Sequence, residues 1–144
     1  MPTAARQGDE FTLSGHKRFV PDGHSADLLV VAARSEGSEG HEGISLFALP
    51  AESTGISRQA LPTMDQTRRQ ADIRLENVRV PATALLGEEG ASGPALEKTL
   101  SLAAVALSAE QVGGAQRCLD LTVDYAKERV QFGRPIGSFQ AIKH

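Results

Sequence analysis

The sequence predicts an α+β fold, in which an antiparallel β-barrel or sandwich domain precedes one long helix and the start of a second helix of a bundle. Before about residue 90, short apolar runs recur at roughly ten-residue spacing with turn residues between them, which is typical of antiparallel sheets. After that point, apolar residues recur at the alternating steps of a helix. We therefore expect two domains, residues 1–88 and 89–144.

Six short strands are expected in the first domain, and turn chemistry separates them. The triplet Pro21-Asp22-Gly23 ends the second strand, because proline fixes φ and glycine tolerates a positive φ. The run at residues 28–33 is apolar throughout, so we expect it to be buried on both faces. Residues 35–43 predict an acidic hairpin loop. The expected strands are residues 11–13, 18–20, 28–33, 44–49, 56–61 and 71–75.

One long helix is expected from Pro94, which suits the first helical position, to Arg129. Its apolar residues form a bundle seam, and residues 101–112 are apolar almost all round, so several partners must bury them. A second helix is expected to begin at Phe139 with Ser138 as its cap. The helix breakers between the two helices are Gly133, Pro135 and Gly137.

The long helix has too few partners within the sequence to bury its apolar surface. The sequence also stops at His144, soon after the second helix begins. We therefore expect either a piece of a larger protein or a subunit that another chain completes.

Composition narrows the class of protein. The chain has 144 residues, of which 40% are hydrophobic and 23% charged, enough for one domain with an apolar core or for pieces of two. Its net charge of −3 is a poor balance for a nucleic-acid-binding protein. No apolar run reaches the ~18 residues of a membrane span and no signal peptide is visible, so a cytoplasmic location is expected.

Common catalytic motifs are missing from the sequence. There is no Gly-x-Ser-x-Gly elbow, no Gly-x-Gly-x-x-Gly loop and no Walker loop. The four histidines show no metal-ligand spacing. The single cysteine, Cys118, excludes an internal disulfide, and its apolar neighbours predict a buried small residue rather than a nucleophile.

The last sixteen residues combine cations with aromatic rings. Arg129, Arg134 and Lys143 follow Glu128 with no further acidic residue, and Phe132 and Phe139 lie between them. An arginine fork pairs with phosphate oxygens, and a phenylalanine packs against a ring, so this segment suits an anionic ligand that carries a ring. The alternative is a helix C-terminus with favourable positive charge and phenylalanines that belong to the core.

Three strings of residues resemble the acyl-CoA dehydrogenase family. The longest is Arg129-Val-Gln-Phe-Gly-Arg-Pro-Ile-Gly-Ser-Phe-Gln-Ala-Ile-Lys-His144, which is similar to the family signature. The second is Leu75-Glu-Asn-Val-Arg-Val-Pro81 with Leu85-Leu-Gly-Glu-Glu-Gly90, at the exit from the β domain. The third is Leu13-Ser-Gly-His-Lys-Arg-Phe-Val-Pro-Asp-Gly23, which resembles the hairpin on the flavin side.

The resemblance implies a middle β domain without its first strand and the beginning of a C-terminal four-helix bundle. It implies FAD as cofactor, an acyl-CoA thioester as substrate and an electron-transfer flavoprotein as electron acceptor. The family acts in fatty acid metabolism and lipid degradation as an oxidoreductase on CH–CH bonds, in dimers or tetramers. No nucleic acid, membrane or metal partner is expected.

The resemblance also implies the cofactor-binding residues. The family arginine at the position of Arg129 reaches the pyrophosphate of the FAD in a neighbouring subunit. Phe19 matches an aromatic residue beside the flavin, and Pro21 stands where the family often has a hydroxyl residue that bonds the isoalloxazine, which proline cannot do. The other matched positions around the cofactor are Gln131, Phe132, Phe139 and Gln140.

No catalytic base is expected in this chain. The usual family glutamate lies beyond residue 144, and the alternative position on the long helix falls at Ala103. Ala104 replaces an arginine that is common near the substrate, and Ser101 replaces an acid. The nearest helix carboxylates, Glu97 and Glu110, do not match either position and are interpreted as ordinary polar residues.

Several functions remain open on these grounds. The first is a fragment of an FAD-dependent acyl-CoA dehydrogenase, which forms the 2,3-enoyl-CoA with a base from outside this chain. The second is a non-catalytic subunit that lends Arg129 to a partner's FAD, and the third is a scaffold module without a flavin role. A related flavin oxidase or monooxygenase is a further alternative, because fold does not fix the reaction. We expect the isolated chain to be inactive as a dehydrogenase.

Overall fold

A seven-stranded sheet and one long helix dominate the chain, and the computed structural model describes all 144 residues. The strands of the sheet are β1 (Thr3–Gln7), β2 (Glu10–Pro21), β3 (Leu28–Ser35), β4 (Ile44–Pro50), β5 (Ile56–Ala60), β6 (Gln70–Pro81) and β7 (Leu85–Leu86). They are followed by α1 (Gly93–Glu128), β8 (Val130–Gln131), β9 (Arg134–Pro135) and α2 (Gln140–Lys143). The chain divides into two compact units, Met1–Glu97 and Lys98–His144.

The sheet has the strand order β5-β6-β2-β1-β3-β4-β7. All of its neighbouring strands pair antiparallel except β1 and β3, which run parallel. The α+β class is confirmed, and the sheet is mixed rather than wholly antiparallel. The sequence patterns did not predict strand β1. The two strands expected at residues 11–13 and 18–20 form one long strand, β2, whose register against β6 is irregular.

One face of the sheet carries the apolar core of the first unit. Phe11 and Phe47 meet edge to face at its centre, with ring centroids 5.0 Å apart, and each is at most 1% exposed. The alternation of apolar and polar residues in β6 is confirmed, because Ala71, Ile73 and Leu75 are buried. The rest of the core cluster is formed by Ala4, Leu13, Leu29, Val31, Ala33, Leu49, Ala51, Val78 and Val80.

The expectation that residues 28–33 are buried on both faces is wrong. Leu28 and Val30 are 59% and 61% exposed, whereas Leu29 and Val31 are buried. The physical reason is the pairing of β3: it lies in a sheet that places the core on one face only, so alternate side chains point away from it. An unbroken apolar run therefore does not predict whether one face of a strand or both faces are buried.

The edge strand β5 is tied to the turn that precedes β3 by Arg58. Its guanidinium donates a hydrogen bond of 2.8 Å to the carbonyl of Ala26 and forms an ion pair with Glu52. Because β5 is the last strand at one end of the sheet order, this contact connects that edge to the other half of the sheet. The Arg58 side chain thus links two parts of the sheet that no backbone hydrogen bonds between strands connect directly.

Helix α1 begins and ends within one residue of its predicted bounds, and its apolar side chains are exposed. Leu102 is 62% exposed, Val105 69% and Val112 71%. Cys118 is also exposed, which corrects the expectation of a buried residue, because no other side chain of this chain covers that part of the helix. Neither helix combines the length and apolar character needed to cross a membrane.

The second helix starts later than expected and without the expected cap. Phe139 is the N-cap of α2, with no side-chain hydrogen bond, and α2 begins at Gln140. Ser138 instead donates its hydroxyl to the carbonyl of Pro135 at 2.7 Å, within the short 3-10 turn formed by residues 136–138. The hydroxyl is thus used to close the preceding turn.

Candidate cofactor-binding segment

A tight hairpin follows the end of α1. The backbone N–H of Arg129 donates to the carbonyl of Tyr125 at 2.8 Å, and the N–H of Ile136 donates to the carbonyl of Arg129 at 2.8 Å. Strands β8 and β9 therefore fold back on one another between these bonds. The two residues at the tip, Phe132 and Gly133, have φ values of +53° and +79°, the positive values that a type I′ turn requires.

An aromatic cluster forms beside this hairpin. The rings of Phe132 and Phe139 meet edge to face, with centroids 6.2 Å apart. The guanidinium of Arg134 lies over the Phe139 ring, 4.0 Å from its centroid. Phe132 is nevertheless 92% exposed, so a bulky ring is held at the surface in a backbone conformation that such residues rarely adopt.

The side chain of Arg129 is exposed and makes no hydrogen bond or ion pair within the chain. No carboxylate follows Glu128 in the sequence to neutralise it. An arginine whose N–H groups make no bond within the chain is suited to a phosphate or diphosphate.

Five of the seven predicted cofactor residues lie in this one short segment. Gln131 pairs across the hairpin with Arg134, and Gln140 is the first residue of α2, where both side chains are exposed. Phe139 is the only partly buried member of the five. The close approach of this segment to α1 explains Gly137, since a Cβ there would lie 2.9 Å from the carbonyl oxygen of Ala126.

The other two predicted residues, Phe19 and Pro21, belong to the first unit. Phe19 lies where the register of β2 against β6 shifts, has a φ of +56° and is 60% exposed. A bulge of this kind re-aims a side chain, and here it turns a bulky ring to the surface. Pro21 ends β2, is exposed and has neither an N–H nor a hydroxyl to donate.

Sequence reasoning missed two arginines that stack on these phenylalanines. Arg134 covers Phe139, as described above, and Arg18 lies over Phe19 at 5.3 Å from the ring centroid. The sequence patterns identify Arg134 only as a cation and Arg18 only as a strand residue. The available signal was an arginine within a few residues of an exposed aromatic residue, but such pairs are common in any sequence.

The helix positions that match the family's alternative base and its neighbours carry no carboxylate. Ser101, Ala103 and Ala104 all lie on α1 with exposed side chains. No group of three or more histidine, cysteine, aspartate or glutamate side chains is placed to hold a metal ion. The side chains at these three helix positions therefore cannot act as a carboxylate base.

Two family profiles match the chain. The profile described as "Acyl-CoA dehydrogenase, middle domain" matches residues 1–78, and "Acyl-CoA dehydrogenase, C-terminal domain" matches residues 93–144. Among curated proteins, cyclohex-1-ene-1-carbonyl-CoA dehydrogenase of Geobacter metallireducens is 34% identical over 97% of this chain and 37% of its own length. The CarC subunit of the caffeyl-CoA reductase-Etf complex of Acetobacterium woodii is 34% identical over 97% of this chain and 38% of its own.

Solved structures agree with these relatives. A probable acyl-CoA dehydrogenase of Mycobacterium abscessus superposes with a TM-score of 0.94 and 31% identity, covering 100% of this chain and 39% of that one. A glutaryl-CoA dehydrogenase of Mycobacterium smegmatis in complex with FADH2 superposes with a TM-score of 0.86 and 27% identity, covering 99% and 36%. The chain thus spans less than two fifths of the length of these relatives. It belongs to the acyl-CoA dehydrogenase family.

Proposed function

We propose that this chain is part of an FAD-dependent acyl-CoA dehydrogenase and supplies cofactor and subunit-interface contacts to it. Residues 1–88 are the middle β domain and residues 89–144 the start of the C-terminal helical domain. The observation that carries this proposal is the unpaired guanidinium of Arg129, in a segment with an aromatic pair and no carboxylate side chain.

The residues that match the family's cofactor positions would each contact a different part of FAD. Arg129 pairs with the pyrophosphate of FAD in a neighbouring subunit, because its fork of N–H donors matches two phosphate oxygens. Phe132 and Phe139 offer apolar ring faces, and Gln131 and Gln140 offer amide groups for polar edges of the cofactor. Phe19 contacts the flavin side, where Pro21 leaves the isoalloxazine without the hydroxyl partner that a serine or threonine would give.

The reaction is the oxidation of an acyl-CoA thioester to its 2,3-enoyl-CoA. The chemistry that FAD supplies when bound is acceptance of the hydride that leaves the β-carbon. A carboxylate must take the α-proton, and with Ala103 at the matched helix position it comes from outside this chain. The electron acceptor would be an electron-transfer flavoprotein, which the A. woodii relative's membership of an Etf complex supports.

A second candidate is a non-catalytic subunit of a mixed oligomer. It is favoured by three small residues, Ser101, Ala103 and Ala104, where family members carry functional side chains on this helix. Such a subunit would still lend Arg129 to the FAD of its partner. The two candidates differ in one respect: whether a base exists elsewhere in the same polypeptide.

Anaerobic titration of the assembled protein that contains this chain tests the proposal. Addition of acyl-CoA thioesters of increasing chain length is expected to bleach the oxidised flavin absorbance with at least one of them. A protein that carries flavin but is bleached by none of them contradicts the dehydrogenase activity proposed for the assembly. The two candidates are distinguished by whether the polypeptide that contains this chain itself supplies the carboxylate base. A protein that purifies without flavin and does not take up added FAD contradicts both candidates.

A further inference from the structure

A groove of about 400 Å³ lies in the first unit, between the turn after β2 and the loop that joins β5 to β6. Two backbone hydrogen bonds fix its walls. The N–H of Asp22 in the turn donates to the carbonyl of Arg69 in the loop at 2.9 Å, and the N–H of Leu61 donates to the carbonyl of Gln70 at 2.8 Å. The groove is thus formed by two connected loops and not by a single mobile one.

The lining of the groove is rich in hydrogen-bond donors and contains no carboxylate. Four of its side chains, those of His24, Gln66, Arg69 and Gln70, make no hydrogen bond within the chain. The imidazole Nδ1 of His24 is in addition buried without a partner. The remaining lining residues are Ala60, Leu61, Pro62 and Thr63.

The buried Nδ1 of His24 is the unusual feature of this lining, because Gln66 and Arg69 are exposed side chains that water can satisfy. Buried polar atoms nearly always find a partner, and an unsatisfied one calls for an explanation such as a missing ligand. The nearest carboxylate along the loop, Asp65, is already engaged, because its Oδ1 accepts hydrogen bonds from the N–H and hydroxyl of Thr67 at 2.9 and 2.6 Å. Arg69 therefore has no ion-pair partner in the groove.

We propose that this groove binds a phosphate ester. Arg69 pairs with the phosphate oxygens, the amides of Gln66 and Gln70 donate to the same oxygens, and His24 completes the donor set. The volume exceeds what a phosphate group alone requires, so the body of the ester rests on the apolar side chains of Leu61 and Pro62. The site is separate in sequence from the segment at residues 129–144, and the proposal does not depend on FAD binding there.

Isothermal titration of the full 144-residue chain with phenyl phosphate tests this assignment. The expected result is saturable one-to-one binding that Arg69→Gln weakens about tenfold or more, the effect of losing one charge-assisted pair. The matched control is Arg79→Gln, which removes the same charge from an exposed arginine of β6 outside the groove and is expected to change affinity less than twofold. Leu61→Ser is expected to weaken phenyl phosphate but not inorganic phosphate.

Three results would overturn the proposal. They are the absence of saturable binding by the unmodified chain, equal weakening by Arg69→Gln and Arg79→Gln, and benzoate binding as tightly as phenyl phosphate. Melting temperatures of both arginine variants identify any loss of folding. If Arg69→Gln is unstable, Gln66→Ala in the same exposed loop is the substitute, with an expected weakening of a few fold.

Discussion

The guanidinium of Arg134 lies 4.0 Å from the centroid of the Phe139 ring, and this contact joins the hairpin to the start of α2. Phe139 in turn meets Phe132 at the hairpin tip, 6.2 Å between ring centroids. Arg134 thus fixes the ring of Phe139, and Phe139 in turn holds the almost fully exposed ring of Phe132 in one orientation. In the proposed function, the cofactor would pack against this preorganised ring of Phe132.

Replacing Arg134 by glutamine is expected to loosen the aromatic cluster. An exposed cation–π contact is worth about 0.5–1 kcal/mol, so FAD held by the assembled protein should bind about two- to fivefold more weakly. In the 144-residue chain, the nuclear Overhauser contacts between Phe132 and Phe139 should weaken. Arg117→Gln on α1 is the matched control, and an equal effect of that variant would refute a specific role of Arg134.

Replacing Phe47 by alanine is expected to destabilise the first unit by about 3–5 kcal/mol, because Phe47 is fully buried against Phe11. Amide hydrogen exchange in strand β4 measures this loss without interference from the helix. Leu28→Ala, at a position that is 59% exposed, should cost less than about 0.5 kcal/mol. Comparable losses in the two variants would show that the core does not lie on the assigned face.

Two glycines are expected to respond in opposite ways to alanine. Gly113 lies in α1 with open space around the position of a Cβ, so Gly113→Ala should stabilise the helix of the isolated chain by up to ~1 kcal/mol. At Gly93, a Cβ would collide with the carbonyl oxygen of His41, so Gly93→Ala should destabilise the first unit. Thermal melts followed by circular dichroism compare them, and a less stable Gly113→Ala would contradict the open environment described here.

The carboxyl of Asp65 should titrate below its ordinary range. Hydrogen bonds from the hydroxyl and then the N–H of Thr67 lower its pKa, since both favour the charged form. Because the folded pKa is depressed, the linked stability is present above the unfolded pKa of about 3.9 and is lost as the pH falls through the folded value. Thr67→Val should raise the pKa of Asp65 in an NMR titration, and an unchanged pKa would rule out the hydroxyl as the cause.

The periodicity of the sequence was sufficient to predict the long helix and most strands of the sheet. The helix between Pro94 and Arg129 was predictable because no breaker interrupts a long run with helical spacing. The acidic loop was predictable from its glycines, and Arg34 fixes it by donating to the carbonyls of Gly40 and Glu42. These features depend on local residue preferences, which a sequence displays directly.

The remaining features depend on contacts between distant residues. The exposure of Leu28 and Val30 follows from which face of the sheet is covered, and the left-handed conformation of Phe19 follows from a register shift against β6. The stacking of Arg134 requires the hairpin to place residues 134 and 139 side by side. A local pattern contains none of this information, so these features could not be predicted.

The dissociation constant of FAD from the assembled protein, with and without Arg129→Ala, tests the central claim most directly. Equilibrium dialysis of the two proteins measures it, with Arg117→Ala as a control that removes another exposed arginine. Loss of a charge-assisted pair to the pyrophosphate should weaken binding at least about tenfold for Arg129→Ala and hardly at all for the control. Equal flavin affinity in all three proteins would contradict the assignment of this segment to the cofactor.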